Sequence, residues 1–187
     1  SGNYNNARIA ANDLAEQYPD RKIVLVDSLC ASLGQGLFVH YAVTMKEQGK
    51  SLEEVAAWLE ENKLHLCHQF TVDDLFHLHR GGRVSKATAI LGTMINIKPV
   101  LHVDDEGHLI NISKVRGRKA SIGALAAKMG ELGTPGANDT VFICHGDCID
   151  DAEYLAAQVK EKYGVKLTNI GSVGISAMMH GYMPFNK

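Results

Sequence analysis

The chain is predicted to be an α/β protein, on three observations. Lys22–Asp27 (KIVLVD) is a short, nearly continuous apolar run rich in β-branched residues, the pattern of a strand buried on both faces of a parallel sheet. Strand-like runs alternate with helix-like stretches of roughly ten to fifteen residues, which implies βαβ units with parallel strands. Asp104-Asp-Glu-Gly107 lies between two further strand-like runs and carries hairpin-turn chemistry, so one antiparallel hairpin accompanies the parallel strands.

The elements follow in order. Ile9, Leu14 and several alanines stand at helical spacing in Asn5–Tyr18, and Pro19-Asp20 ends that helix before the Lys22–Asp27 strand. A second helix covers Leu33–Gln48 and stops at Gly49. Ser51 and Glu54 have the spacing of a capping box, which starts a helix that turns Val55, Trp58 and Leu59 inward. Leu66–Val72 reads as a strand, Asp73-Asp74 caps a short helix through His79, and Gly81-Gly82 ends it. Ser85 caps a helix to about Ile95. Ile97–Val103 and Leu109–Val115 form the hairpin. Helix Ser121–Leu132, strand Thr140–His145, helix Asp150–Tyr163 and strand Lys166–Ile170 complete the series.

The chain has 187 residues, 45% hydrophobic and 21% charged, which excludes a disordered or fibrous protein. A chain this long hides about 70% of its unfolded surface, so no disulfide or metal is needed to make it fold, and one large or two small domains both fit. Nineteen Lys and Arg against twenty-one Asp and Glu give a net charge of −2, which argues against bulk nucleic-acid binding. Apolar windows such as Ile23–Val26 and Val141–Cys144 fall far short of the roughly 20 residues that span a bilayer, so no integral membrane association is expected. Ser1–Asn6 is polar and uncharged, without the basic start and apolar run of a signal peptide. The opening Ser-Gly-Asn-Tyr, lacking Met, reads as a start cut from something longer. Cys30, Cys67, Cys144 and Cys148 are irregularly spaced, the usage of reduced thiols, and the expected location is cytoplasmic.

Several chemistries can be weighed on residue spacing. The nine histidines invite a metal, with His65, Cys67 and His68 in one group and Cys144, His145 and Cys148 in another. In a strand His65 and Cys67 share a face and His68 points away, and neither group has a zinc-ligand spacing, so no metal is assigned. Cys144 and His145 are strand neighbours on opposite faces, which prevents them from pairing as nucleophile and base. No nucleophile elbow, dinucleotide fingerprint or P-loop occurs, so no catalytic residue and no cofactor is assigned. Two basic features remain. Arg83 stands between a diglycine and a predicted helix start, where guanidinium and backbone N–H groups can converge on a carboxylate or phosphate; a helix end followed by a cap explains the glycines and Ser85 without any ligand. Lys114-Val-Arg-Gly-Arg-Lys119 reads as a basic hairpin end, either a docking patch made by Arg116, Arg118 and Lys119 or simply a solvated turn.

His79-Arg-Gly-Gly-Arg-Val-Ser85, Leu91-Gly-Thr-Met-Ile-Asn-Ile-Lys-Pro-Val-Leu101 and Lys114-Val-Arg-Gly-Arg-Lys119, in that order, closely resemble the consecutive motifs of the DegV family of bacterial fatty-acid-binding proteins. Val26-Asp-Ser28 and Val72-Asp-Asp-Leu-Phe-His-Leu78 match as well, and the resemblance runs from Ser1 to about Gly171. It implies a two-domain α/β protein, a parallel-sheet part-domain over 1–66 followed by an α/β domain with the hairpin over 67–187. It also implies a carrier without catalysis of its own, which holds one long-chain fatty acid between its domains and presents the carboxylate to a separate fatty acid kinase for acyl-phosphate formation and phospholipid synthesis. Ser1 matches the serine of the family's Ser-Gly-Thr-Tyr loop, which hydrogen-bonds the carboxylate; with Arg83 it makes the expected fatty-acid-binding pair. Arg116, Arg118 and Lys119 are the expected kinase-docking residues, and part of the slot wall is expected in Ala87–Ile97. The family's preceding half-domain, with its Thr-Ser-Gln-Pro loop, has no counterpart here, and Gly171–Met183 departs from the family's glycine-rich end, so His180 takes no role. The reading set against the carrier is a small α/β hydrolase or transferase that clamps an anionic substrate with Arg83.

Overall fold

A computed structural model describes residues 2–85, 96–134, 138 and 140–172. The fold is mixed α/β, with an antiparallel and a parallel sheet, and divides into two compact units, Ser1–Leu66 and Cys67–Lys187.

The first unit holds three helices: α1 (Gly2–Gln17), α2 (Ser32–Glu47) and α3 (Leu52–Asn62). Helix α3 starts where its capping box predicts. Ser51 Oγ accepts the Glu54 N–H at 3.2 Å, and the Ser51 N–H donates to Glu54 Oε2 at 2.8 Å. Helix α2 buries Leu33 and Phe38 and meets α3 through Tyr41 and Trp58, whose ring centroids are 5.3 Å apart. The predicted strand Lys22–Asp27 is not a strand. Among the described residues it pairs with no other segment, and Ile23 and Val24 are exposed. A strand-like sequence alone does not make a sheet; the ladder requires a neighbour.

The second unit begins with β1 (Gln69–Thr71), shorter than predicted, and α4 (Leu75–Arg80), capped by the Asp74 carboxylate, which accepts the Phe76 N–H at 2.7 Å. Strands β2 (Ile97–Val103) and β3 (Leu109–Arg116) form the hairpin, and the sheet order β1-β2-β3 is antiparallel throughout. A bulge between Val100 and Leu101 shifts the β2–β3 register, which lets both side chains be fully buried. Leu101 joins Leu75, Leu78 and Val84 in one core cluster.

Helix α5 (Arg118–Leu132) starts three residues earlier than predicted, because Gly117 at φ 91° makes the turn from β3 directly into the helix. The Gly117 N–H is held by the Asn96 carbonyl at 2.8 Å. Strand β4 (Thr140–His145), helix α6 (Ile149–Tyr163) and strand β5 (Lys166–Ser172) form a right-order β-α-β unit whose strands are parallel. Ala126, Val159 and Val165 pack α5 and α6 together, while Ile143, Ala152 and Ala156 seat α6 on β4. Gly130 permits the closest of these approaches: a Cβ there would stand 2.7 Å from Tyr163 Oη.

Candidate functional site

The glycine–arginine loop grows out of α4. Six residues after its start the helix ends as Gly81 N–H reaches the His77 carbonyl at 3.1 Å and Gly82 N–H reaches that of His79 at 2.8 Å, with Gly82 in the left-handed region at φ 72°. The Arg83 N–H then returns to the Leu78 carbonyl at 2.9 Å, and buried Val84 anchors the exit. His79 Nδ1 lies 3.1 Å from the Val84 carbonyl oxygen and ties the two sides together. This closure points Arg83 outward. Its side chain is exposed, and Nη1 donates back to the Gly81 carbonyl, which orients the guanidinium over the loop. An exposed, oriented guanidinium over a glycine turn can receive a carboxylate in bidentate fashion.

The second basic feature stands at the far end of the hairpin's return strand. The hairpin turn is Asp104–Gly107, whereas Lys114–Lys119 spans the junction from β3 into α5. Arg116 ends β3 exposed and Lys119 is exposed in the first turn of α5. Arg118 between them faces inward. Its Nε donates to Asp151 Oδ2 at 2.7 Å, Nη2 lies 3.7 Å from Cys148 Sγ, and Nη1 is 4.0 Å from Asp73 Oδ1. Burial opposes the charge on Arg118, but the hydrogen bond and charge of Asp151, with Asp73 behind it, outweigh that and hold its pKa up. Asp73 in turn accepts from Lys98 Nζ at 2.6 Å, a bond that holds its carboxyl below the usual range with help from the nearby positive charges. Arg118 thus links the start of α5, the start of α6 and the loop before α4. Sequence reasoning saw Asp73 and Asp151 only as helix-start residues, since nothing local marks a partner 33 or more residues away.

The histidine and cysteine groups do not converge on a metal position. Cys148 donates its N–H to His145 Nδ1 at 3.1 Å as α6 begins. Burial, with the Asp27 charge, pushes Cys30 up to about 11, and burial raises Cys67 as well; both stay thiols rather than nucleophilic thiolates at neutral pH. Among the described residues, the ligand atoms that gather within 4.8 Å of one another belong to Asp104, Glu106 and His108. There the Asp104 Oδ1 accepts the Glu106 and His108 N–H groups at 3.0 and 2.7 Å, which is the work of a turn. No helix of the described residues is long and apolar enough to cross a membrane. Ser1, most of the wall expected at Ala87–Ile97, the helix expected after Ser85, and His180 lie outside the described residues.

A family model for DegV proteins of uncharacterised function matches residues 1–181. The chain belongs to the DegV family. A DegV domain-containing protein of Clostridium perfringens is 48% identical over 180 residues, 96% of this chain and 62% of that protein. A DegV domain-containing protein of Lactococcus lactis is 38% identical over 181 residues, again 96% and 62%. This DegV chain therefore spans less than two thirds of the length of these relatives. Among solved structures it is similar to a DegV family protein from Eubacterium eligens loaded with heptadecanoic acid, at TM-score 0.85 and 26% identity over 92% of this chain and 62% of the other. It is also similar to the Streptococcus pneumoniae fatty acid kinase (Fak) B3 protein loaded with linoleic acid, at TM-score 0.83 and 25% identity over 92% and 60%.

Proposed function

We propose that this DegV chain belongs to a cytoplasmic carrier of long-chain fatty acids, with 1–66 as part of a first DegV domain and 67–187 as the second. The observation that carries the reading is the fold match, over 92% of the chain, to a family member holding heptadecanoic acid. A C17 acyl chain offers about 0.8 kcal/mol for each buried CH₂, so an apolar slot supplies affinity and a few polar groups fix the head.

In this reading Arg83, exposed and aimed over its glycine turn, contacts the carboxylate together with Ser1. The carrier performs no chemistry; a separate fatty acid kinase phosphorylates the presented carboxylate, a role supported by the likeness to a protein of the fatty acid kinase system. Arg116 and Lys119 offer that kinase two exposed positive charges. Arg118, engaged by Asp151 and Asp73, serves the same surface by holding the β3–α5 junction in place. The test is native mass spectrometry with lipid extraction of the protein purified from bacteria. Fatty acid near one per chain, lost in Ser1→Ala/Arg83→Ala with the fold intact by circular dichroism, is expected. Absence of co-purifying or added fatty acid binding overturns the proposal.

A further inference from the structure

Arg83 follows two glycines, and Gly82 at φ 72° is a joint with more backbone freedom to lose than any other residue type would have. Backbone bonds to α4 hold the loop as far as the Arg83 N–H, which meets the Leu78 carbonyl at 2.9 Å. Beyond that point the anchors are the buried Val84 side chain and His79 Nδ1, 3.1 Å from the Val84 carbonyl oxygen. A carbonyl only accepts, so Nδ1 carries a ring proton and the half-buried imidazole donates. Arg83 is thereby bracketed, by its own N–H on one side and by the carbonyl of the next residue on the other. Its guanidinium depends on that bracket, since Nη1 donates to the Gly81 carbonyl across the same turn.

We propose that His79 is a positioning residue for carboxylate binding: its Nδ1–H bond to the Val84 carbonyl holds the loop in the shape that aims the Arg83 guanidinium. The inference rests on the reading that Arg83 contacts the fatty acid carboxylate. Bidentate contact needs the planar guanidinium in a set orientation, and a side chain ordered beforehand loses less freedom when the ligand arrives. The chemistry that meets this need is narrow. Asparagine places an amide N–H where Nδ1 stands, glutamine places it nearer Nε2, and leucine fills the space with no donor.

Dissociation constants for a fatty acid and for the fatty alcohol of the same chain length, measured on the protein purified from bacteria and stripped of lipid, test the proposal. The alcohol shares the acyl chain and lacks the carboxylate, so the ratio of the two constants reads the head contact. Arg83→Ala should cut the preference for the acid roughly thirtyfold, as the loss of a charged, hydrogen-bonded contact. His79→Leu and His79→Gln should each cut it about fivefold with alcohol binding unchanged, and His79→Asn should keep it. The double variant His79→Leu/Arg83→Ala should lose no more than Arg83→Ala alone, because His79 acts through Arg83. Circular dichroism identifies any variant that has lost its fold; if His79→Leu has, His79→Gln carries the same expectation. Where Arg83→Ala cuts the preference, an unchanged preference in the leucine and glutamine variants, equal weakening of acid and alcohol, or no recovery with asparagine overturns the role of His79 alone. A preference indifferent to Arg83→Ala overturns the carboxylate reading and this proposal with it.

Discussion

Replacing Arg118 by Met removes the charge that joins the starts of α5 and α6 while keeping most of the apolar stem. The side chain is 28% exposed and that of Asp151 34% exposed, so the pair is neither a surface ion pair nor a fully buried one. Removing one partner of a fully buried pair costs about 3–5 kcal/mol, and exposed pairs contribute about 0–1. With roughly two thirds of each group withdrawn from water, we expect Arg118→Met to cost about 2 kcal/mol, most of it the stranded Asp151 carboxylate. For a chain of this size that lowers the melting temperature by roughly 4–8 °C. Urea unfolding of the wild type, Arg118→Met, Asp151→Leu and the double variant closes the cycle. The double variant should recover about half of the loss, because neither charge is then left unpaired. Additive losses, or a single-variant cost below about 0.5 kcal/mol, would refute the view of Arg118 as the interlock of this junction.

Reversing the exposed neighbours Arg116 and Lys119 to Glu should leave unfolding and fatty acid binding unchanged and reduce phosphorylation of the bound fatty acid by the kinase; unchanged turnover removes these residues from the docking surface. His68 offers a pH test. Its Nδ1 is buried without a partner among the described residues, and burial lowers its pKa below the unfolded value of about 6.5, so the native state resists protonation. Its contribution is complete above that value and is lost as the pH falls below it toward the native pKa; the urea midpoint should drop between about pH 7.5 and pH 5.5, less so in His68→Phe, and equal slopes would contradict the assignment. Gly130→Ala should fail to show the helix gain of about 1 kcal/mol, because the new methyl meets Tyr163 Oη at 2.7 Å, and should show it in a Tyr163→Ala background; a gain in both backgrounds would mean that the ring moves aside freely.

Local signals and their products can be compared residue by residue. Ser51 with Glu54 forms the capping box over four residues, Asp74 caps α4, and Asp104 with Gly107 turns the hairpin, each written in contiguous sequence and each found where predicted. The Arg83 loop was legible too, since two glycines and a helix end are neighbours in the chain. Arg118 was not. Its basic neighbours made it look like part of an exposed patch, and only the meeting of β3, α5, α6 and the Asp73 loop turns it inward. Lys22–Asp27 shows the opposite error: its composition is that of a buried strand, yet within the described residues it is unpaired.

The sequence by itself determined the helices, caps, turns and the α/β class of this DegV chain, because those depend on residues a few positions apart whose side chains bond or exclude one another directly. Tertiary structure alone decided which charges face water and which strands are paired. Burial and strand pairing depend on groups distant in sequence, and a lysine, arginine or β-branched run carries the same local preferences whether its partner is beside it or absent.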